Sequence, residues 1–157
     1  PHSAYSAAKF AVRGLSESLV VDLQVNAPHV KVAVVMPGHI GTDIINNTRL
    51  AHGTDPDAMT AEELADVRKL MAQRGFPSEG LADEDLQQLV KVMGQAFRDN
   101  APMSAAQAAT VILDGVKAGE WRILVGDDAH ALDEAVRADP LKAYGPDGLS
   151  LTTMNLG

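Results

Sequence analysis

From Ala4 to about Val25 the apolar residues fall at Phe10, Val12, Leu15, Leu19, Val20 and Leu23, with Ser16, Glu17, Asp22 and Gln24 among them. Steps of three and four predict a long amphipathic helix. At about 20 residues it would be about 30 Å long, enough to span a small domain and present a face to another subunit. Asn26-Ala27-Pro28 ends it, because proline drives the preceding residue out of helical geometry. The pattern then changes to a nearly continuous apolar run, Val30-Lys31-Val32-Ala33-Val34-Val35-Met36, closed by Pro37-Gly38. A run of this kind predicts a buried strand of a parallel sheet covered by helices. A polar stretch follows, with two clear helices. One opens at the capping box Thr60-Ala61-Glu62-Glu63 and stops at Gly75; the other runs from Asp83 to Arg98 with a stripe of Leu86, Leu89, Val90, Met93 and Phe97. A second capping box at Ser104 and Gln107 starts a helix ending near Gly119, Trp121–Gly126 reads as another strand, and a short helix covers Ala129–Arg137. The remainder, Leu141–Gly157, reads as irregular.

These elements alternate as an α/β fold does, but they contain only two strands, and two strands rarely form a stable sheet alone. The chain is therefore expected to be part of a larger fold. The excursion from about 43 to 102 between a strand and the next core helix reads as a lid or substrate-binding insertion.

Composition narrows the function. The chain has 157 residues, 46% apolar and 22% charged, an ordinary balance for one domain with a real core. A net charge of −8 without a cluster of Lys or Arg argues against nucleic acid or an anionic membrane as the main partner. Zero cysteines remove disulfides and thiolate metal sites and fit a cytoplasmic enzyme. The five histidines, His2, His29, His39, His52 and His130, show no metal-ligand spacing, so no metal is expected. The acidic pairs Asp55 with Asp57, and Asp127 with Asp128, read as solvated turns and caps.

Two stretches carry candidate chemistry. In Tyr5-Ser6-Ala7-Ala8-Lys9 a phenol and an ammonium stand four residues apart, on one face of the predicted helix. A cation beside a phenol, whose ordinary pKa is about 10, favours the phenolate needed for proton transfer at neutral pH. The same pair can also be a packing aromatic and a solvated cation. The second stretch, Pro37-Gly38-His39-Ile40-Gly41-Thr42-Asp43, follows the first strand, and ligands of parallel sheets bind beyond the carboxyl ends of strands. A plain turn is the alternative there.

Together, Tyr5-x-x-x-Lys9 on a long helix and a buried strand ending in Pro37-Gly38-x-Ile40-x-Thr42 resemble the short-chain dehydrogenase/reductase family. The resemblance covers most of residues 1–138 and is strongest over 1–44. It implies the C-terminal portion of a Rossmann-like doubly wound parallel sheet with a helical substrate-loop insertion, followed by an irregular tail at 139–157. By that resemblance Tyr5 would be the general acid or base. Lys9 would hold the nicotinamide ribose of NAD or NADP, the Pro37-Gly38 turn would lie against the nicotinamide, the Ile40 backbone would meet its carboxamide, and Thr42 would reach the carboxamide or pyrophosphate region. The long helix would pair subunits into a homodimer or homotetramer. The apolar residues Ile44, Ile45, Leu50, Leu70 and Met71 point to a hydrophobic alcohol or ketone as substrate.

The departures are equally specific. The family's T-G-x-x-x-G-x-G phosphate loop, its active-site Asn and its catalytic Ser have no counterparts, since Ser3 and Ser6 lie too near Tyr5. The expectation is half of an oxidoreductase site, inactive alone. The competing expectations are a non-catalytic truncated relative acting as a dimerisation module, and an unrelated α/β domain.

Overall fold

The computed structural model describes residues 3–73, 75, 76, 78 and 80–143. The order of elements is α1 (Ser3–Asn26), β1 (Val34–Pro37), β2 (Ile40–Gly41), α2 (Ile44–Ala51), α3 (Ala61–Gln73), α4 (Asp83–Asp99), β3 (Met103–Ser104), α5 (Ala105–Ala118), β4 (Arg122–Val125), α6 (Asp127–Ala138) and α7 (Pro140–Ala143). They fall into two compact units, one formed by Pro1–Ile40 with Met103–Gly157, the other by Gly41–Pro102.

The first unit is built on β1 and β4, which pair in parallel with Val34 opposite Arg122 and Pro37 opposite Val125. Side chains alternate between the faces of a strand, so Ile123 and Val125 share one face and Arg122 lies on the other. Ile123 and Val125 form the core with Ala108 of α5, and Ala33, Val35, Ile40, Met103 and Ile112 pack against it. Burying an Ile or Val side chain of this kind contributes about 1.5–3 kcal/mol. On the opposite face Arg122 pairs with Asp133 of α6 and lies in the field of Glu17 of α1. Helices thus flank both faces of a parallel pair, a partial Rossmann-like α/β arrangement.

The first strand is shorter than its apolar run. Residues 27–30 form a turn, closed by the Val30 N–H donating to the Ala27 carbonyl at 2.9 Å. Pairing starts only where a partner is available, with the Val34 N–H donating to the Trp121 carbonyl at 2.8 Å. The helix α1 extends over 24 residues as its periodicity predicts and stops before Ala27-Pro28. No residue of α1 is buried: Leu19, Val20 and Leu23 are half-covered, while Phe10, Val12 and Leu15 face outward.

Both capping boxes form. Thr60 and Glu63 bond reciprocally, as do Ser104 and Gln107, and Gly119 closes α5 in the left-handed conformation at φ 76°. The expected irregular tail begins instead with the single turn α7. Proline fits a first helical position, and the Asp139 carboxylate accepts the Lys142 N–H at 2.9 Å. Residues 144–157 lie outside the described residues.

In the second unit α4 supplies the centre, with Leu86 fully buried, Val90 and Gly94 buried, and Leu64 of α3 buried in the same unit. The predicted stripe is corrected at one turn: Met93 is 49% exposed and Gly94 takes the inward place. The reason is the neighbouring helix α2. It packs so closely that a Cβ at residue 94 would overlap the Asn46 amide, while Arg49 reaches the Val90 carbonyl at 3.1 Å. Arg68 ties down the loop before α4, donating to the Ser78 and Leu81 carbonyls at 2.7 Å and to Asp83 at 2.8 Å.

Candidate active site

Tyr5 and Lys9 stand one turn apart at the start of α1, in a segment rich in small helix formers, Ala4, Ala7 and Ala8. The Lys9 Nζ lies over the Tyr5 ring, 5.5 Å from its centroid. Tyr5 is 64% exposed, and among the described residues no carboxylate pairs with Lys9. A phenol that both donates and accepts, beside an ammonium with three donors, therefore faces outward and is free for a ligand.

The position of this pair follows from chain geometry. Val20, Leu23 and Gln24, near the far end of α1, line a cavity of about 360 Å³ together with Val32, Ala33 and Trp121, at the amino ends of the strands. A 24-residue helix is about 36 Å long, whereas a four-residue strand rises about 13 Å. The first turns of α1 thus extend toward and past the carboxyl ends of β1 and β4, where ligands of parallel sheets bind. The cavity itself lies at the opposite end.

The turn after β1 is held on all sides. Alternate amides of β1 face β4, and Gly38 makes the last sheet bond, donating to the Val125 carbonyl at 2.9 Å. The next amide, of His39, donates to the Asp128 carboxylate at 2.5 Å. The same carboxylate accepts the Ala129 N–H at 3.0 Å and occupies the space a Cβ on residue 38 would need. A side chain there would have to displace the Asp128 carboxylate. Ile40 points into the core, so its backbone, not its side chain, is what the turn can offer a ligand.

Of the predicted residues, the structure gathers Pro37, Gly38 and Ile40 into one turn and Tyr5 with Lys9 onto one helical face. Thr42, half-buried, belongs to the second unit, two residues before α2. Asp128 is the residue that sequence reasoning missed. It read as a solvated cap, because its partner turn lies 89 residues away and only its place just after a strand, at the carboxyl end of the sheet, signalled a role. Among the described residues no group of three or more His, Asp or Glu side chains could hold a metal. No described helix is long and apolar enough to cross a membrane.

Residues 2–53, which contain the Tyr–Lys helix, β1 and the turn, match the family model described as short chain dehydrogenase. The chain is related to the short-chain dehydrogenases. Two Mycobacterium tuberculosis proteins, from strains CDC 1551 and H37Rv, each named "Putative oxidoreductase SadH", are 33% identical to it over 135 residues. The match covers 86% of this chain and 37% of each of those proteins. No solved structure gives a significant match. Short-chain dehydrogenases in general use NAD or NADP, and the donor set here fits that group: the exposed Lys9 ammonium and Tyr5 hydroxyl suit vicinal ribose hydroxyls.

Proposed function

We propose that the chain carries the catalytic Tyr–Lys part of an NAD- or NADP-dependent oxidoreductase that interconverts an alcohol and a carbonyl compound. The observation that carries this reading is the free Tyr5–Lys9 pair at the strand-end side of α1, with the glycine-dependent Pro37–Ile40 turn following the neighbouring strand. A bound cofactor supplies the hydride acceptor or donor. Tyr5 exchanges a proton with the substrate oxygen at its hydroxyl, and Lys9, whose ammonium lies over the Tyr5 ring, binds the ribose. The Pro37-Gly38 turn and the Ile40 backbone flank the nicotinamide end, and Thr42 offers its hydroxyl to the carboxamide or pyrophosphate region. Apolar side chains exposed on the second unit, Ile44 and Leu50 among them, favour a small hydrophobic alcohol or ketone.

The phosphate-binding glycine loop comes from sequence that these residues do not include, in keeping with a span of 37% of the SadH proteins. Phe10, Leu15 and Val21 on α1 are exposed apolar residues suited to a homodimer or homotetramer, with neither nucleic acid nor membrane as a partner, in the cytoplasm. The same exposed helix favours a second reading, a non-catalytic dimerisation module.

Titration of the chain alone, and of the chain joined to any reading frame preceding it, separates the two. On the oxidoreductase reading only the longer protein binds NAD or NADP with micromolar affinity and turns over hydrophobic alcohols. Micromolar cofactor binding by the 157 residues alone contradicts the division of the site. A longer protein that dimerises but binds neither cofactor supports the module.

A further inference from the structure

We propose that Asp128 is a positioning residue of this oxidoreductase, clamping the Pro37–His39 turn in the one conformation that meets the nicotinamide end of the cofactor. The inference rests on the reading given above. Its basis is the junction where β4 passes into α6, at which the carboxylate does three things at once. One oxygen accepts the His39 N–H at 2.5 Å, a contact between residues 89 apart in sequence. The other accepts the Ala129 N–H at 3.0 Å, which fixes the side chain to the first turn of α6. The carboxylate also fills the volume next to the Cα of Gly38, so the glycine and the acid depend on each other.

A free turn after a strand would sample several backbone conformations. Here Gly38 is held by the Val125 carbonyl and His39 by Asp128, two anchors on consecutive amides, both coming from the β4–α6 segment. Hydrogen bonds from an amide to a carboxylate are shorter and stronger than those between neutral groups, so this anchor is the firmer one. Its loss frees the turn without touching Tyr5 or Lys9. Asp128 acts through the backbone it holds and contacts no reacting atom.

The test uses the intact enzyme and two readouts, hydrogen exchange across residues 35–41 without cofactor, and the dissociation constant for NAD or NADP. D128A should raise exchange at the turn and weaken cofactor binding about tenfold, and D128N, which keeps one acceptor oxygen but turns an NH2 donor onto the second N–H and loses the charge, should fall between D128A and wild type in both. G38A, which drives a methyl group into the carboxylate, should weaken binding to a similar degree, and G38A/D128A should be no weaker than the worse single variant. If D128A does not fold, D128S, too short to reach His39, carries the same comparison. Unchanged exchange and binding in D128A, or losses that multiply in the double variant, overturn the positioning role. A wild-type enzyme that binds neither cofactor overturns the oxidoreductase reading instead.

Discussion

Replacing Asp133 by Asn tests how α6 is held to its face of the sheet. In the folded chain Asp133 accepts two N–H bonds from Arg122, the second at 3.0 Å, and one from the Arg137 Nε at 2.9 Å. The Arg122 hydrogen bonds hold the Asp133 carboxyl below the ordinary carboxylate range, partial burial opposing them and the charges of Arg122 and Arg137 adding to them. Arg122 already has a buried Nε without a hydrogen-bond partner, so removal of the carboxylate leaves a guanidinium still less satisfied. Breaking one partner of a fully buried pair costs about 3–5 kcal/mol; side chains 13% and 19% exposed retain some solvation, which reduces the expectation to about 2 kcal/mol. For a chain of this size that is a fall of about 4–8 °C in melting midpoint at pH 7.

The pH dependence has a fixed sign. A carboxyl whose folded pKa is depressed contributes stability above its unfolded value of about 3.9, and loses that contribution as pH falls through its folded value. The gap between wild type and D133N should therefore stay constant from pH 8 to about 5 and close below about pH 4. Thermal melts of both proteins across that range decide it. A midpoint within 1 °C of wild type at pH 7, or a gap that persists undiminished in acid, refutes the assignment of Arg122–Asp133 as a stabilising pair (1 °C being roughly the scale of a few tenths of a kcal/mol).

Other substitutions probe the second unit and the caps. Leu86→Ala removes a fully buried side chain of α4 and should cost about 2–5 kcal/mol, read as a lower denaturant midpoint at unchanged slope. Ser104→Ala removes the hydroxyl that accepts the Gln107 N–H and should destabilise by about 1 kcal/mol, with Ser104→Gly milder.

Local rules carried much of the architecture. The helix over α1, the Thr60 and Ser104 caps and the αL glycine at 119 follow from spacing and hydrogen-bonding chemistry within a few residues, and all are present. Long-range pairing was less legible. Val30–Ala33 has strand composition but no partner opposite it, because β4 begins only at Arg122. Met93 fits an apolar stripe, yet the approach of α2 makes Gly94 the inward residue. In the candidate site, the placement of Tyr5 and Lys9 one turn apart on a helix, and of Pro37, Gly38 and Ile40 at the turn after β1, was readable because both spacings are local. Asp128 was not, since its meaning depends on a turn 89 residues away.

On the proposed function Tyr5 transfers the proton while the turn and Lys9 bind the cofactor. Tyr5→Phe in the intact enzyme, assayed for alcohol oxidation and titrated with cofactor in parallel, tests it most directly. Removing a general acid or base costs about 10²–10⁴ in rate, so turnover should fall by at least about a hundredfold while cofactor affinity changes by less than about threefold. Turnover retained within about tenfold of wild type, with the phenyl ring in place of the phenol, contradicts it.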